Sequence, residues 1–287
     1  MSLAFASRAL SGAGPPLVMG IVNVTPDSFY DGGTTAAPGA AIDRGLALLD
    51  AGASIVDVGG MTARPGRELT VDDELARVLP VLTGLRARTE AVLSVDTYRA
   101  AVAGPALDAG ADLVNDHTGL SDPRMADTVA ARDAGIVVTH LGVAPKQVQG
   151  GRYRIPAARI AAALAERAAA ARAAGIRKDA ILLDPGLGFG KDTASDLDTL
   201  RDLPSLTGLG YPLLLACSHK EVTAEPLGLP EASLEGTAAV VAVAAFLGVR
   251  VLRLHDLPFM ERVARMAWLM RAEVDKRHPG SDPGFPR

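Results

Sequence analysis

Eight short aliphatic runs, all but one closing on a polar side chain, limit most strongly what this chain can fold into. They cover residues 17–23, 54–59, 91–96, 112–116, 136–140, 180–184, 212–218 and 250–255. Each run is continuous rather than alternating in polarity, which is the pattern of a parallel strand covered on both faces. Stretches rich in Ala, Leu and Arg lie between them, with helical periodicity over 40–51, 71–88, 97–109, 155–174, 234–247 and 258–276. Ala-Gly pairs at 51–52, 109–110, 134–135 and 174–175 stand where helices should end, because glycine takes the left-handed cap conformation cheaply. Units of strand plus helix at about 30-residue spacing predict a (β/α)8 TIM barrel rather than a doubly wound open sheet. The barrel is expected over residues 15–277, after an N-terminal extension (1–14) and before a flexible tail (278–287).

Composition narrows the function classes. With 48% hydrophobic residues the chain can bury a large core, and a formal net charge of −4 argues against a broad nucleic-acid surface. Aromatics are only 4%, too few for base-stacking platforms. The single cysteine, Cys217, excludes an intramolecular disulfide framework and a Cys-rich zinc site, and it is expected to be a buried, inert thiol. No charged leader precedes a long apolar core, and the most apolar stretch, 237–249, is too short to span a bilayer. The expectation is a cytoplasmic protein without membrane or nucleic-acid partners.

A TIM barrel carries its active site at the C-terminal ends of its strands. Those ends hold Asn23, Asp57, Asp96, Asn115, Asp116, His140, Asp184, Ser218, Lys220, Arg253, His255 and Asp256. One polar residue after an apolar strand could simply cap the next helix, but a set of them in register predicts a shared polar pocket. Asp96, Asn115 and Asp184 offer donors and acceptors in fixed directions, as an amide-rich heterocycle requires. Lys220, Arg253 and His255 are expected to supply positive charge for an anion such as a phosphate or pyrophosphate. Three glycine-rich loops, 25–33, 59–66 and 185–191, could close over a ligand or present backbone N–H groups to it. The last lacks P-loop spacing. Asp57 reads as a cap or loop-orienting residue more readily than as a substrate contact. His140 reads equally as pocket lining or as core. His117, His219 and His278 lack further ligands at metal spacing.

The motifs themselves form a recognisable series. Asn23-Val-Thr-Pro-Asp-Ser-Phe29, Asp57-Val-Gly-Gly60 with Arg64-Pro-Gly66, Ser94-Val-Asp-Thr97, Asn115-Asp116, Asp184-Pro-Gly186 with Gly188-Phe-Gly-Lys191, Ser218-His-Lys220 and Arg253-Leu-His-Asp256 follow in order. This series resembles the dihydropteroate synthase family over roughly residues 17–268, and looks most like its second, divergent actinobacterial paralogue. The resemblance implies a TIM barrel, usually homodimeric through late helices. It also implies joining of 7,8-dihydropterin-6-ylmethyl diphosphate to 4-aminobenzoate with release of pyrophosphate. By the same resemblance Asp96, Asn115, Asp184 and Lys220 would bind the pterin, and Arg253 and His255 the diphosphate. Asn23 would ligate its Mg2+. Ser218 would receive the aminobenzoate carboxylate, with Phe189, Pro65 and the stem of Lys220 walling its ring. Asp96, Asp184, Lys220 and Arg253 are the catalytic candidates. Arg64 reads as a solvent-exposed loop charge, as a contact to diphosphate or aminobenzoate on loop closure, or as a partner of Asp27 or Asp31.

Departures from the family pattern cluster on the acceptor side. The second loop, usually G-G-E-S-T-R-P-G, has Met61 at the glutamate position and Ala63 at the threonine position. His140-Leu-Gly142 replaces H-M-x-G, and His219 stands where S-R-K has arginine. An altered acceptor, or a pterin-binding paralogue with weak or lost condensation, is the alternative these changes raise. A pterin-binding methyltransferase module fits less well, since methyl transfer has no pyrophosphate to hold.

Overall fold

The computed structural model describes residues 2–5, 8–24, 37–61, 68–142, 153–231 and 233–277. Two short strands, β1 (Leu3–Phe5) and β2 (Arg8–Leu10), pair as an antiparallel hairpin. Eight more follow: β3 (Leu17–Asn23), β4 (Ile55–Gly59), β5 (Val92–Asp96), β6 (Leu113–Asp116), β7 (Gly135–Thr139), β8 (Ile181–Asp184), β9 (Leu214–Ala216) and β10 (Val251–Leu254). The helices are α1 (Pro38–Asp50), α2 (Val71–Arg86), α3 (Ala100–Asp108), α4 (Met125–Ala130), α5 (Ala157–Ala173), α6 (Thr193–Arg201), α7 (Leu203–Thr207), α8 (Leu234–Phe246) and α9 (Phe259–Arg277). The eight strands run parallel in the order β8-β7-β6-β5-β4-β3-β10-β9, and a parallel bridge between Leu183 and Leu213 joins the two ends. The expected (β/α)8 barrel is the observed fold.

Every residue of β4, β6, β7, β8 and β9 is buried, because side chains fill the barrel on one face and meet the helical ring on the other. Cys217 lies in this core, and burial pushes its thiol up to about 12. Thr70, Asp192 and Ser233 cap α2, α6 and α8 by accepting from backbone N–H groups of the first turn. Among the described residues no helix is long and apolar enough to cross a membrane.

Three of the four Ala-Gly pairs end helices with a left-handed glycine: Gly52, Gly110 and Gly175. The fourth does not. Asp133 takes the positive φ there, and Gly135 is the first residue of β7. A Cβ on Gly135 would stand 2.2 Å from the Phe5 ring, so this glycine makes room for the hairpin. Leu3 and Phe5 are fully buried, and Arg8 reaches Asp112 at 2.9 Å beside Arg86 at 2.6 Å. The N-terminal segment thus plugs the end of the barrel opposite the polar strand ends. The tail expected to be flexible, residues 278–287, lies outside the described residues.

Candidate active site

Strand register assembles the floor of the pocket. Asn23 is level with Gly59, Gly59 with Asp96, and Asp96 with Asn115, so one row of residues crosses β3 to β6. Asp57 lies two residues deeper on β4 and is fully buried. Arg253 starts deeper still, level with Met19, and only a side chain of that length spans the gap. Its Nε donates to Asp57 Oδ2 at 2.7 Å and its Nη2 to Asp96 Oδ2 at 2.8 Å. Asn115 Nδ2 donates to the same Asp57 oxygen at 3.0 Å. Burial pushes the Asp57 carboxyl up, against the opposing charge of Arg253. Burial alone would also raise Asp96, but the hydrogen bond from His117 and the charge of Arg253 outweigh it and hold Asp96 below the ordinary carboxylate range.

The loop after β8 forms the facing wall. Asp184 Oδ1 accepts from Gly186 N at 2.8 Å, and Asp196 Oδ2 accepts from Gly188 N at 2.7 Å. Lys191 is buried beneath the loop and donates to Gly186 O at 2.6 Å and His140 O at 3.1 Å. Burial lowers the Lys191 ammonium to about 8 and raises Asp196 to about 6. The expectation that this loop offers backbone N–H groups to a ligand is therefore corrected for Gly186 and Gly188, whose N–H groups already serve Asp184 and Asp196. What the loop does present is Phe189. Lys220 Nζ lies 4.7 Å from that ring's centroid and donates to Leu187 O. The Lys220 ammonium is pushed down by burial, with Asp184 and Asp196 opposing the shift. Asp184 itself is pushed up by burial.

The third side comes from β9 and β10. Ser218 Oγ accepts from the His255 N–H at 3.3 Å. His219 Nε2 lies 2.8 Å from Asp256 Oδ2, and its ring meets the His255 ring edge-on at 5.2 Å. Arg44 of α1 approaches His255 O at 3.5 Å. Two sequence expectations change here. Burial and the neighbouring Arg253 charge lower His255 to about 3, so at neutral pH it is an uncharged imidazole and not a cation. The Arg253 charge is already engaged by two carboxylates. A 15N NMR titration should accordingly find the His255 ring neutral from pH 7 down to about pH 5, where a solvent-exposed histidine would be mostly charged. A midpoint near the ordinary histidine value would contradict this burial.

Most strand-end candidates therefore converge, but Arg64, Ala63, Pro65, Asp27 and Asp31 lie outside the described residues. Asn23 sits at the rim, its Oδ1 beside Gly59. Met61 is buried. His140 is core-like: burial, with Lys191 and Arg167 nearby, lowers it to about 4, and it contributes its backbone to Lys191 and Asp184. Sequence reasoning underrated Asp57 and assigned no role to His117, Lys191 or Asp196. His117 Nδ1 lies 3.0 Å from Asp96 Oδ1, and its ring stacks on Phe189. Its place directly after the Asn115-Asp116 pair was the available signal. Nothing local marks Lys191 as buried.

Residues 19–255 match the family described as "Pterin binding enzyme". The chain belongs to that family. It is 41% identical over 261 residues to "Inactive dihydropteroate synthase 2" of Mycobacterium leprae, covering 87% of this chain and 89% of that one. It is 39% identical over 271 residues to "Dihydropteroate synthase" of Bacillus subtilis, covering 93% and 92%. The solved Xanthomonas albilineans dihydropteroate synthase with 4-aminobenzoic acid superposes with a TM-score of 0.82 at 38% identity, over 97% of this chain and 99% of that one.

Proposed function

We propose that this family member is a dihydropteroate synthase. It joins 7,8-dihydropterin-6-ylmethyl diphosphate to 4-aminobenzoate and releases pyrophosphate and a proton. The observation that carries the reading is the Asp57–Arg253–Asp96 network, with Asn115 on its flank and Asp184 and Lys220 opposite. It is a buried, directional set of donors and acceptors suited to a flat, amide-rich ring. In this scheme Asp96, Asn115, Asp184 and Lys220 hold the pterin. Breaking the methylene carbon–oxygen bond sends its electron pair to the diphosphate and leaves positive charge on the pterin, which the Asp96 and Asp184 carboxylates stabilise. The aromatic amine then bonds to that carbon and gives up a proton. No protein nucleophile is required. Phe189 and the Lys220 stem wall the aryl ring, and Ser218 receives its carboxylate.

Mg2+ is the cofactor of this reading. Among the described residues no cluster of three or more His, Cys, Asp or Glu side chains could cage a metal. The donor set nonetheless suits a cation that takes one or two protein oxygens and completes its shell with phosphate and water, and the Asn23 amide oxygen would be that ligand. When bound, the ion would neutralise charge on the departing pyrophosphate. His255, through an uncharged N–H, and Arg64 are assigned to the same anion.

The test is pyrophosphate release with Mg2+ and the pterin diphosphate, with and without 4-aminobenzoate. Release that requires aminobenzoate and yields dihydropteroate supports the synthase. Pterin binding without aminobenzoate-dependent release supports a second reading, a pterin-binding paralogue with lost or altered acceptor chemistry. Ala63, Met61 and the relative named inactive favour that second reading.

A homodimer and a cytoplasmic location complete the proposal. Val243, Phe259, Met266 and Met270 are about half exposed and line an apolar groove of about 600 Å3 between α8 and α9. A second copy covering this face removes a patch that a monomer would leave in water. Met266→Glu should convert the dimer to monomer in sedimentation velocity; an unchanged sedimentation coefficient would place the interface elsewhere.

A further inference from the structure

His117 touches three components of the site at once. Its Nδ1 lies 3.0 Å from Asp96 Oδ1, while Arg253 occupies the other oxygen of that carboxylate at 2.8 Å. A carboxylate only accepts, so Nδ1 carries the proton and donates. The ring stacks on Phe189 at 6.0 Å between centroids with planes 7° apart, and meets Tyr98 edge-on at 5.3 Å. The side chain is 9% exposed. A carboxylate bonded through one oxygen can still turn about its Cβ–Cγ bond. Bonds to both oxygens fix its plane, and a planar ligand with paired N–H donors needs that plane set in advance.

Resting on the reading of the pocket as a pterin site, we propose that His117 is a positioning residue. Its Nδ1–H fixes the plane of Asp96 for the ligand, and its ring ties that carboxylate to Phe189 on the facing loop. The pterin end and the aryl end of the site are thereby coupled through one side chain. Asn115 and Asp116 precede it at the end of β6, so the strand sets its height. Tyr98 and Phe189 set its rotation.

Two substitutions separate its functions. His117→Asn puts an amide N–H where Nδ1 stands and removes the ring. His117→Phe keeps a stacking ring and removes the donor. Binding of 6-hydroxymethylpterin diphosphate, followed by calorimetry, should weaken about tenfold in His117→Phe and stay within about threefold of the parent in His117→Asn, as expected for one hydrogen bond to a charged group. A merely structural role would move both variants with their melting temperatures, not according to the donor. Equal affinities in the two variants, weakened or not, would overturn the positioning role. If the parent protein fails to bind the pterin diphosphate, the pterin-site reading itself falls and this inference with it.

Discussion

Replacing Arg253 with methionine should destabilise the protein by about 3–5 kcal/mol and lower its melting temperature by roughly 5–10 °C, because a buried cation would be removed from between two carboxylates. Asp57 is fully buried and shares Arg253 with Asp96, so Asp57 cannot turn to solvent for a substitute. The stability deficit should depend on pH. Burial already pushes the Asp57 carboxyl up, and without the guanidinium that opposes it the shift would grow, so the native chain would keep a proton that the unfolded chain has lost. The variant should therefore recover relative to the parent as pH falls from 7 toward about 5. The same change should weaken free pterin and pterin diphosphate to a similar degree, because what it disturbs first is Asp96. A loss confined to the diphosphate would instead identify Arg253 as an anion ligand. Thermal melts across pH and calorimetry with both ligands decide the matter.

The barrel was legible because its two signals are redundant. Continuous apolar runs mark strands, and long helices such as α1, α2 and α9 carry a periodic face, so an error at one boundary is corrected by the next. Strand starts and ends agree to within one residue for most elements, and the largest difference is β9, expected over 212–218 and observed as Leu214–Ala216. Which strand-end residues face one pocket was legible for the same reason, since parallel register brings those ends level. Their partners were not. Arg253 looked free because a sequence does not show that Asp57, 196 positions away, lies beneath it. His255 looked cationic because its type is basic, whereas burial beside a guanidinium decides its charge. Gly135 looked like a helix cap because the Ala-Gly pair repeats, yet its missing side chain serves Phe5 from the far end of the chain. For Arg253 and Gly135 the deciding contact spans a long stretch of sequence, and for His255 it is the burial that only the folded chain creates.

Asp184→Asn should cost about 10- to 100-fold in affinity for the pterin diphosphate with little change in melting temperature. The two readouts separate because of where the charge sits. Asp184 is 3% exposed, and burial holds its carboxyl above the ordinary range, so the ionised form is maintained at a cost to stability near neutral pH. An amide removes that cost and can keep the Gly186 N–H bond through its oxygen. The affinity has no such compensation. The ligand loses a charged acceptor and faces an N–H donor in its place. Lys220 loses the largest opposing charge that holds its own ammonium up against burial, so the substitution also makes the second polar contact on that wall easier to deprotonate. No direct bond joins the two side chains, which is why the native fold tolerates the change while the ligand does not. Calorimetry over a rising pH series would resolve the coupling: burial already pushes the Lys220 ammonium down, so the deficit should widen as pH rises. Unchanged pterin affinity in this variant would remove Asp184 from the pocket assignment, and with it the argument that carboxylates on facing strands stabilise the charge that develops on the pterin.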